Sequence, residues 1–194
     1  MRKREFVVLA AAAAAAPLWL AGCTTASNTP SPTTDPAQLR TAIEREADAA
    51  LARLYDDVKG SPEVIQKAQG VLVLPNVVSG GLIFGGAGGN GVLRVADKSA
   101  SYWRMSEAQV GLLGGAQSQS IFIVFLTPEA LAGFTKSSGW TAGFDATVAV
   151  SSVGKNTPIK APTQQQPIAA YVLTNTGLMA GVSFQGTKFT RLEV

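Results

Sequence analysis

Six residues of this 194-residue chain spell a nucleotide-binding fingerprint: Gly86-Ala87-Gly88-Gly89-Asn90-Gly91 fits G-x-G-x-x-G. That chemistry needs a helix to follow, because free N–H groups at a helix N-terminus meet the pyrophosphate. Here Val92-Leu93-Arg94-Val95 follows, which is strand-like. Gly86, Gly88, Gly89 and Gly91 are therefore expected to serve positive φ and close strand contacts. Other routes to catalysis are thin. The chain has no histidine, the commonest general base and metal ligand, so no Ser-His-Asp triad can be built. Asp97, Glu107, Glu129, Asp145 and Glu193 are the acids of the β-rich part, and no close pair suggests a carboxylate dyad. Asp145, beside Phe144, reads as a structural hydrogen-bonder. No enzymatic activity, metal site or cofactor is expected.

The remaining reactive group is Cys23, the one cysteine. Arg2, Lys3 and Arg4 precede an apolar stretch from Phe6 to Leu20, and Leu20-Ala21-Gly22-Cys23 closes it. A charged start, an apolar middle and small residues at a cut site make a secretory signal peptide. The apolar run is short of the roughly 20 residues that a spanning helix needs. The closing box resembles the site where a lipoprotein signal peptidase cuts before a diacylglyceryl-modified cysteine, so Cys23 is the expected attachment point for lipid, palmitate included. Thr24 follows, where Asp is the usual signal for retention at the inner membrane of many Gram-negative bacteria. The expected location is the outer membrane, facing the periplasm, with the inner membrane second.

Removing the leader changes how the composition reads. Three cations and one anion leave with residues 1–22, so the formal charge of +3 falls to +1. The basic balance is then no argument for a nucleic-acid partner. The remaining 172 of the 194 residues suit one domain with a real core. With Cys23 lipidated no disulfide can form, and packing alone must supply stability. From Thr24 to Asp35 the chain is polar and proline-containing, an extended spacer reaching roughly 35–40 Å. The expected plan is a signal peptide over 1–22, a lipidated N-terminus and flexible spacer over 23–35, and one domain over 36–194.

The domain opens with a helix. Asp35 caps it, Pro36 suits its first position, and Gln38 completes a capping box. Leu39, Ile43, Ala47, Ala50, Leu51, Leu54 and Val58 form one apolar stripe, and Lys59-Gly60 ends it. Its exposed face is net acidic, unlike that of a membrane-surface helix, so it should pack on its own domain. A short second helix runs from Ser61 to about Ala68. Strands are expected at Val71–Leu74 (ended by Pro75), Leu82–Phe84, Gly91–Val95, Ala100–Met105, Val110–Ala116 and Ile121–Leu126. Phe144–Ser151, Ile168–Thr174, Leu178–Phe184 and Lys188–Leu192 complete them. One helix interrupts the strands: Thr127 caps it, Pro128 and Glu129 open it, and it runs to about Thr135. The fold class is α+β: N-terminal helices, then a largely antiparallel β-sandwich or barrel-like sheet with one inserted helix.

Several blocks then resemble the SYLF domain, also called the Ysc84-type domain, over about residues 39–194. They are residues 68–77, the glycine run of residues 80–91, Tyr102-Trp103, Val110–Gln119, Gly143-Phe144-Asp145-Ala146, Ala170-Tyr171 and residues 177–186. The resemblance implies a lipid-binding module. Eukaryotic members associate with phosphoinositide membranes and some bind actin, whereas bacterial members are commonly exported lipoproteins. This chain lacks the basic N-terminal helix of the eukaryotic pattern, so neither phosphoinositide nor actin binding is expected of it in this compartment.

Charge is unevenly spread. Residues 35–63 hold seven acids and four bases, whereas residues 146–192 hold Lys155, Lys160, Lys188 and Arg191 and no acid. Lys155, Lys160 and Lys188 are the candidate contacts for anionic head groups; mutual attraction of the two poles, or plain solvation, is the blander alternative. Two function classes result: a periplasmic, membrane-anchored lipoprotein with a non-enzymatic phospholipid-binding domain, or a structural, protein-interaction module of the cell envelope. A contiguous apolar opening favours the first, a flat patch with an exposed sheet edge the second.

Overall fold

The computed structural model of the protein describes residues 35–81, 84–110, 117–150, 166–174, 177–178 and 182–194. Asp35 opens helix α1 (Pro36–Asp57) by accepting the Ala37 N–H at 3.0 Å, one residue short of the Gln38 bond that a capping box makes. Ile43, Ala47, Ala50 and Leu54 recur at helical spacing and are buried. Gly60, in the left-handed region at φ +83°, turns the chain into α2 (Ser61–Gln66), which stops before the expected Ala68. The buried Ser61 hydroxyl ties this corner down by donating to the Leu54 carbonyl at 3.0 Å.

The strands are β1 (Gly70–Gly81), β2 (Phe84–Val95), β3 (Lys98–Val110), β4 (Gln117–Phe125), β5 (Gly139–Thr141), β6 (Ala149–Val150), β7 (Ile168–Thr174), β8 (Gly177–Leu178) and β9 (Lys188–Leu192). Helix α3 (Pro128–Lys136) lies between β4 and β5, its Ala130 N–H donating to the Thr127 hydroxyl at 3.2 Å. One sheet runs in the order β5-β9-β3-β2-β1-β4-β7-β6, with β8 on β7. Every pair is antiparallel except β6 with β7. The fold is α+β as expected, and of the two expected arrangements it is the barrel-like one.

Helix α3 explains the curl. In a flat sheet β4 and β5, five strand spacings apart, would be separated by about 24 Å. Yet the Phe134 ring centroid lies 4.9 Å from that of Phe125 on β4 and 5.5 Å from that of Trp140 on β5. It also meets Trp103 at 4.2 Å and Phe189 at 6.1 Å. The sheet wraps around this one ring. On the opposite face α1 buries Ile43, Ala47, Ala50 and Leu54 against Val71, Val73, Phe122, Val124 and Tyr171. The middle strands are thus covered on both sides, which is why 71–74, 121–125 and 168–173 read as continuous apolar runs.

Three expectations are corrected here. Pro75 does not end a strand: β1 continues through it to Gly81. Between Leu74 and Val77 the strand carries one residue more than β4, and between Val73 and Val78 one more than β2. Such a bulge tolerates a proline in a central strand, because the local ladder is already broken. The glycine run is not flanked by two strands but is the middle of β2 itself. None of Gly86, Gly88, Gly89 and Gly91 has positive φ. Close approach is what two of them serve. A Cβ on Gly89 would lie 2.6 Å from the Asn76 carbonyl oxygen. One on Gly91 would overlap the Val73 carbonyl oxygen and sit 3.0 Å from Leu74 Cγ. Both press on the bulged stretch of β1, whereas Gly88 makes only ordinary contact, 3.4 Å from the Met105 oxygen. The third correction concerns the expected strand Phe144–Ser151: over the described residues 144–150 only Ala149–Val150 is strand, and Phe144 sits in a turn. Residues 82–83, 111–116 and 179–181, parts of three expected strands, lie outside the described residues.

Candidate functional site

Strand register fixes which side chains share an end of the sheet. Phe84 at the start of β2 pairs with Val110 at the finish of β3. Lys188, which starts β9, pairs with Ser106 on β3 and with Thr141, the last residue of β5. Phe144, three residues past Thr141, therefore lies at the end of the sheet that carries Phe84 and Lys188. Phe144 is 85% exposed and Phe84 77%, the largest exposures of any big apolar side chain among the described residues.

The Phe144 turn is tightly built. Thr141 O accepts the Asp145 N–H at 2.9 Å, and the Asp145 carboxylate accepts the Thr141 N–H at 2.5 Å. Gly143 donates to Ala146 O at 2.9 Å, from a backbone at φ +86° that only glycine adopts without strain. A second strap holds the turn to its neighbour: Gly186 N–H donates to Ala142 O, and Ala142 N–H to Thr187 O. Thr187, fully buried, donates its hydroxyl to Glu107 at 2.9 Å. Asp145 is the structural hydrogen-bonder the sequence suggested. Beneath the turn is a cavity of about 280 Å³ whose walls include Ala142, Val148, Val150, Val182 and Phe184. None of its lining residues is charged.

The opposite end is polar. Arg94 reaches Asp48 at 2.6 Å and Glu44 at 3.6 Å, Ser99 donates to Glu44 at 2.9 Å, and Tyr102 donates to the same carboxylate. Arg40 lies 5.6 Å over the Tyr102 ring. Burial first, then the hydrogen bond and charge of Glu44, raise the Tyr102 phenol above its ordinary value. These groups clasp α1 to β2 and β3 and are occupied by one another. Of the α1 acids, Glu44 and Asp48 are paired by Arg94 and Asp57 by Arg53, and Lys188 enters no ion pair among the described residues.

Lys188 is exposed on β9. Lys155, Lys160 and Cys23 lie outside the described residues. The glycine fingerprint is a paired strand, and no cluster of three or more His, Cys, Asp and Glu able to hold a metal occurs among the described residues. The Phe144 turn was missed as a feature. Its signal was present in Gly143-Phe144-Asp145, since a glycine and an aspartate bracketing one residue is turn chemistry.

The comparisons fall on this part of the molecule. Residues 106–193, which contain the Phe144 turn and every residue lining the cavity, match the model of the Ysc84 family, described as Las17-binding protein actin regulator. Over that stretch the chain is similar to the Ysc84-type (SYLF) domain. It is 29% identical over 133 residues to the SH3 domain-containing YSC84-like protein 1 of Xenopus laevis, covering 65% of this chain and 39% of that one. The protein of that name from Homo sapiens is 28% identical over 152 residues, 75% of this chain and 44% of its own. The chain thus spans about two fifths of the length of the curated relatives it matches.

Proposed function

We propose that this is a bacterial lipoprotein, tethered to the periplasmic face of the outer membrane through Cys23, whose SYLF domain binds phospholipid without catalysis. The observation that carries the reading is one end of the sheet, with a cavity whose lining holds no charge and two exposed aromatic rings. Apolar walls from Ala142, Val148, Val150, Val182 and Phe184, beside the polar Thr147, Ser183 and Gln185, support the lipid-binding reading over the protein-binding one. Among the described residues the outermost strands are short, β5 with three residues and β6 with two, and offer little template for strand addition by a protein partner. The leader and its Leu20-Ala21-Gly22-Cys23 box support export and lipidation. A chain without histidine supports a binding role. The actin-regulator description is not carried over, because the exposed face of α1 is net acidic and export would remove the domain from actin.

Cys23→Ser tests both halves. Exported behind a leader that an ordinary signal peptidase removes, the variant should leave the membrane fraction for the soluble periplasm; retention after a high-salt wash would refute the anchor. The purified variant should float with vesicles of phosphatidylethanolamine and phosphatidylglycerol. Absence of flotation at low salt would refute phospholipid binding and favour the protein-interaction module.

A further inference from the structure

We infer that the end of the sheet bearing Phe84 and Phe144 is a membrane-inserting edge, seated in the interfacial layer of a phospholipid bilayer with Lys188 at head-group level; this rests on the lipid-binding reading. Two large rings on separate segments, 77% and 85% exposed, face solvent at the same end. They are separated by three strand positions, about 15 Å along the sheet. Soluble surfaces scatter single apolar residues, but paired aromatics at one end are how proteins meet the boundary between head groups and acyl chains.

Polarity is graded along the same axis. Residues 71–93, 108–128 and 161–187 contain no charged residue. At this end the described charges are Glu107, Asp145 and Lys188. Glu107 accepts from buried Thr187, and Asp145 holds its own turn. Lys188, on a flexible stem beside Thr141, can raise its ammonium to phosphates while its methylenes lie along apolar surface. The opposite end carries Arg40, Glu44, Asp48, Arg94, Asp97 and Lys98 and would remain in water. The closed turn matters too. A ring already fixed in its exposed position loses little conformational freedom on insertion, so more of its transfer free energy appears as binding. A protein partner would need none of this axial grading, which is why a lipid surface is the occupant the observations select.

The test uses residues 23–194 with Cys23→Ser, so that the apolar leader and its Trp19 are absent. Trp103 and Trp140 are buried, 0% and 3% exposed, so a tryptophan placed at position 144 reports almost alone on bulk lipid. Phe144→Trp should shift its emission to the blue on adding phosphatidylethanolamine/phosphatidylglycerol vesicles and be quenched by brominated acyl chains. Phe144→Ala should leave the melting temperature unchanged, since the residue is 85% exposed, and weaken vesicle partitioning on the order of 10-fold. Phe84→Ala should act alike and the two should add, being separate in the fold. The loss should persist at 0.5 M salt, unlike any loss from lysine replacement. Flotation without quenching at position 144, or with Phe144→Ala binding as wild type, overturns the inserting edge while leaving lipid binding intact. Failure of every variant and of the parent to float overturns both. A photoreactive residue at position 144 that cross-links in cells to an envelope protein and not to lipid assigns the edge to a protein partner and also overturns the inference.

Discussion

Gly91→Ala is the sharpest probe of how this sheet is assembled. The added methyl would enter the Val73 carbonyl oxygen and stand 3.0 Å from both the Val73 carbonyl carbon and Leu74 Cγ. Val73 and Leu74 are fully buried in the central strand, so β1 must move as backbone and cannot yield by a rotamer change. Forcing a methylene-sized group into such packing costs about 1–3 kcal/mol. Against that, replacing glycine by alanine stiffens the unfolded chain and returns about 0.4–1 kcal/mol. The expected net loss is about 1–2 kcal/mol, or roughly 2–8 °C in melting temperature for a domain of this size. Gly88→Ala is the internal control, because its methyl would meet only the Met105 oxygen at 3.4 Å. It should be neutral or slightly stabilising. Urea melts of both variants in the Cys23→Ser chain, compared at equal slope, measure the difference. Equal midpoints for the two variants would refute the close-approach account. Unchanged stability with lost vesicle binding in Gly91→Ala would make the glycine run a binding element instead.

Phe134→Ala should cost about 3–5 kcal/mol in a urea melt, because its ring is the shared contact of Trp103, Phe125, Trp140 and Phe189; a loss below 1 kcal/mol would show that the sheet curls without it. The Tyr102 phenol has its folded-state pKa raised above the unfolded value of 10.0, so the protonated form favours the fold below pH 10 and that contribution is lost as pH rises above it. Tyr102→Phe should lower stability by about 1 kcal/mol at pH 7 and flatten the decline above pH 10; a parallel pH curve would refute the linkage. Replacing Lys155, Lys160 and Lys188 together by Gln should weaken binding to anionic vesicles by about 3 kcal/mol at 0.01 M salt and by much less at 0.15 M. Unchanged binding in both salts would remove these lysines from the lipid contact.

How far the sequence could be read depended on whether the deciding partner was local. Ile168–Thr174 and Lys188–Leu192 coincide with β7 and β9 because turn residues bound each run in the sequence itself. The same holds for α1 and α3, whose caps, Asp35 and Thr127, act within three residues. Pro75 misled because a proline stops a strand unless neighbours accept a bulge, and those neighbours, Gly89, Gly91 and Ser120, are 14 to 45 residues away. Ser120 Oγ donates to the Pro75 carbonyl at 2.7 Å, a bond no local pattern foretells. Phe144 was hidden differently. Its neighbours Val148 and Val150 alternate as a strand would, and apolar periodicity outweighed a turn signal only three residues long. The site followed suit: Phe84, Phe144 and Lys188 were legible as residues, but their meeting at one end depends on strand order, which composition does not encode.

The bulge has a further consequence for alignment. Most sheets learn their register from alternation, since a slip by one residue turns a buried face toward water. Here Val71–Leu74, Ile121–Phe125 and Ile168–Leu173 are apolar on both faces, and a slip would only exchange one greasy set for another. The extra residue around Pro75-Asn76 supplies the missing mark. Asn76 meets Ser118 at 2.7 Å, the Pro75 carbonyl meets Ser120, and the glycines of β2 leave room in one position alone. The bulge works as a key on a shaft: deleting one residue between Leu74 and Val77 would straighten β1 and free the central strands to pair one step out of place.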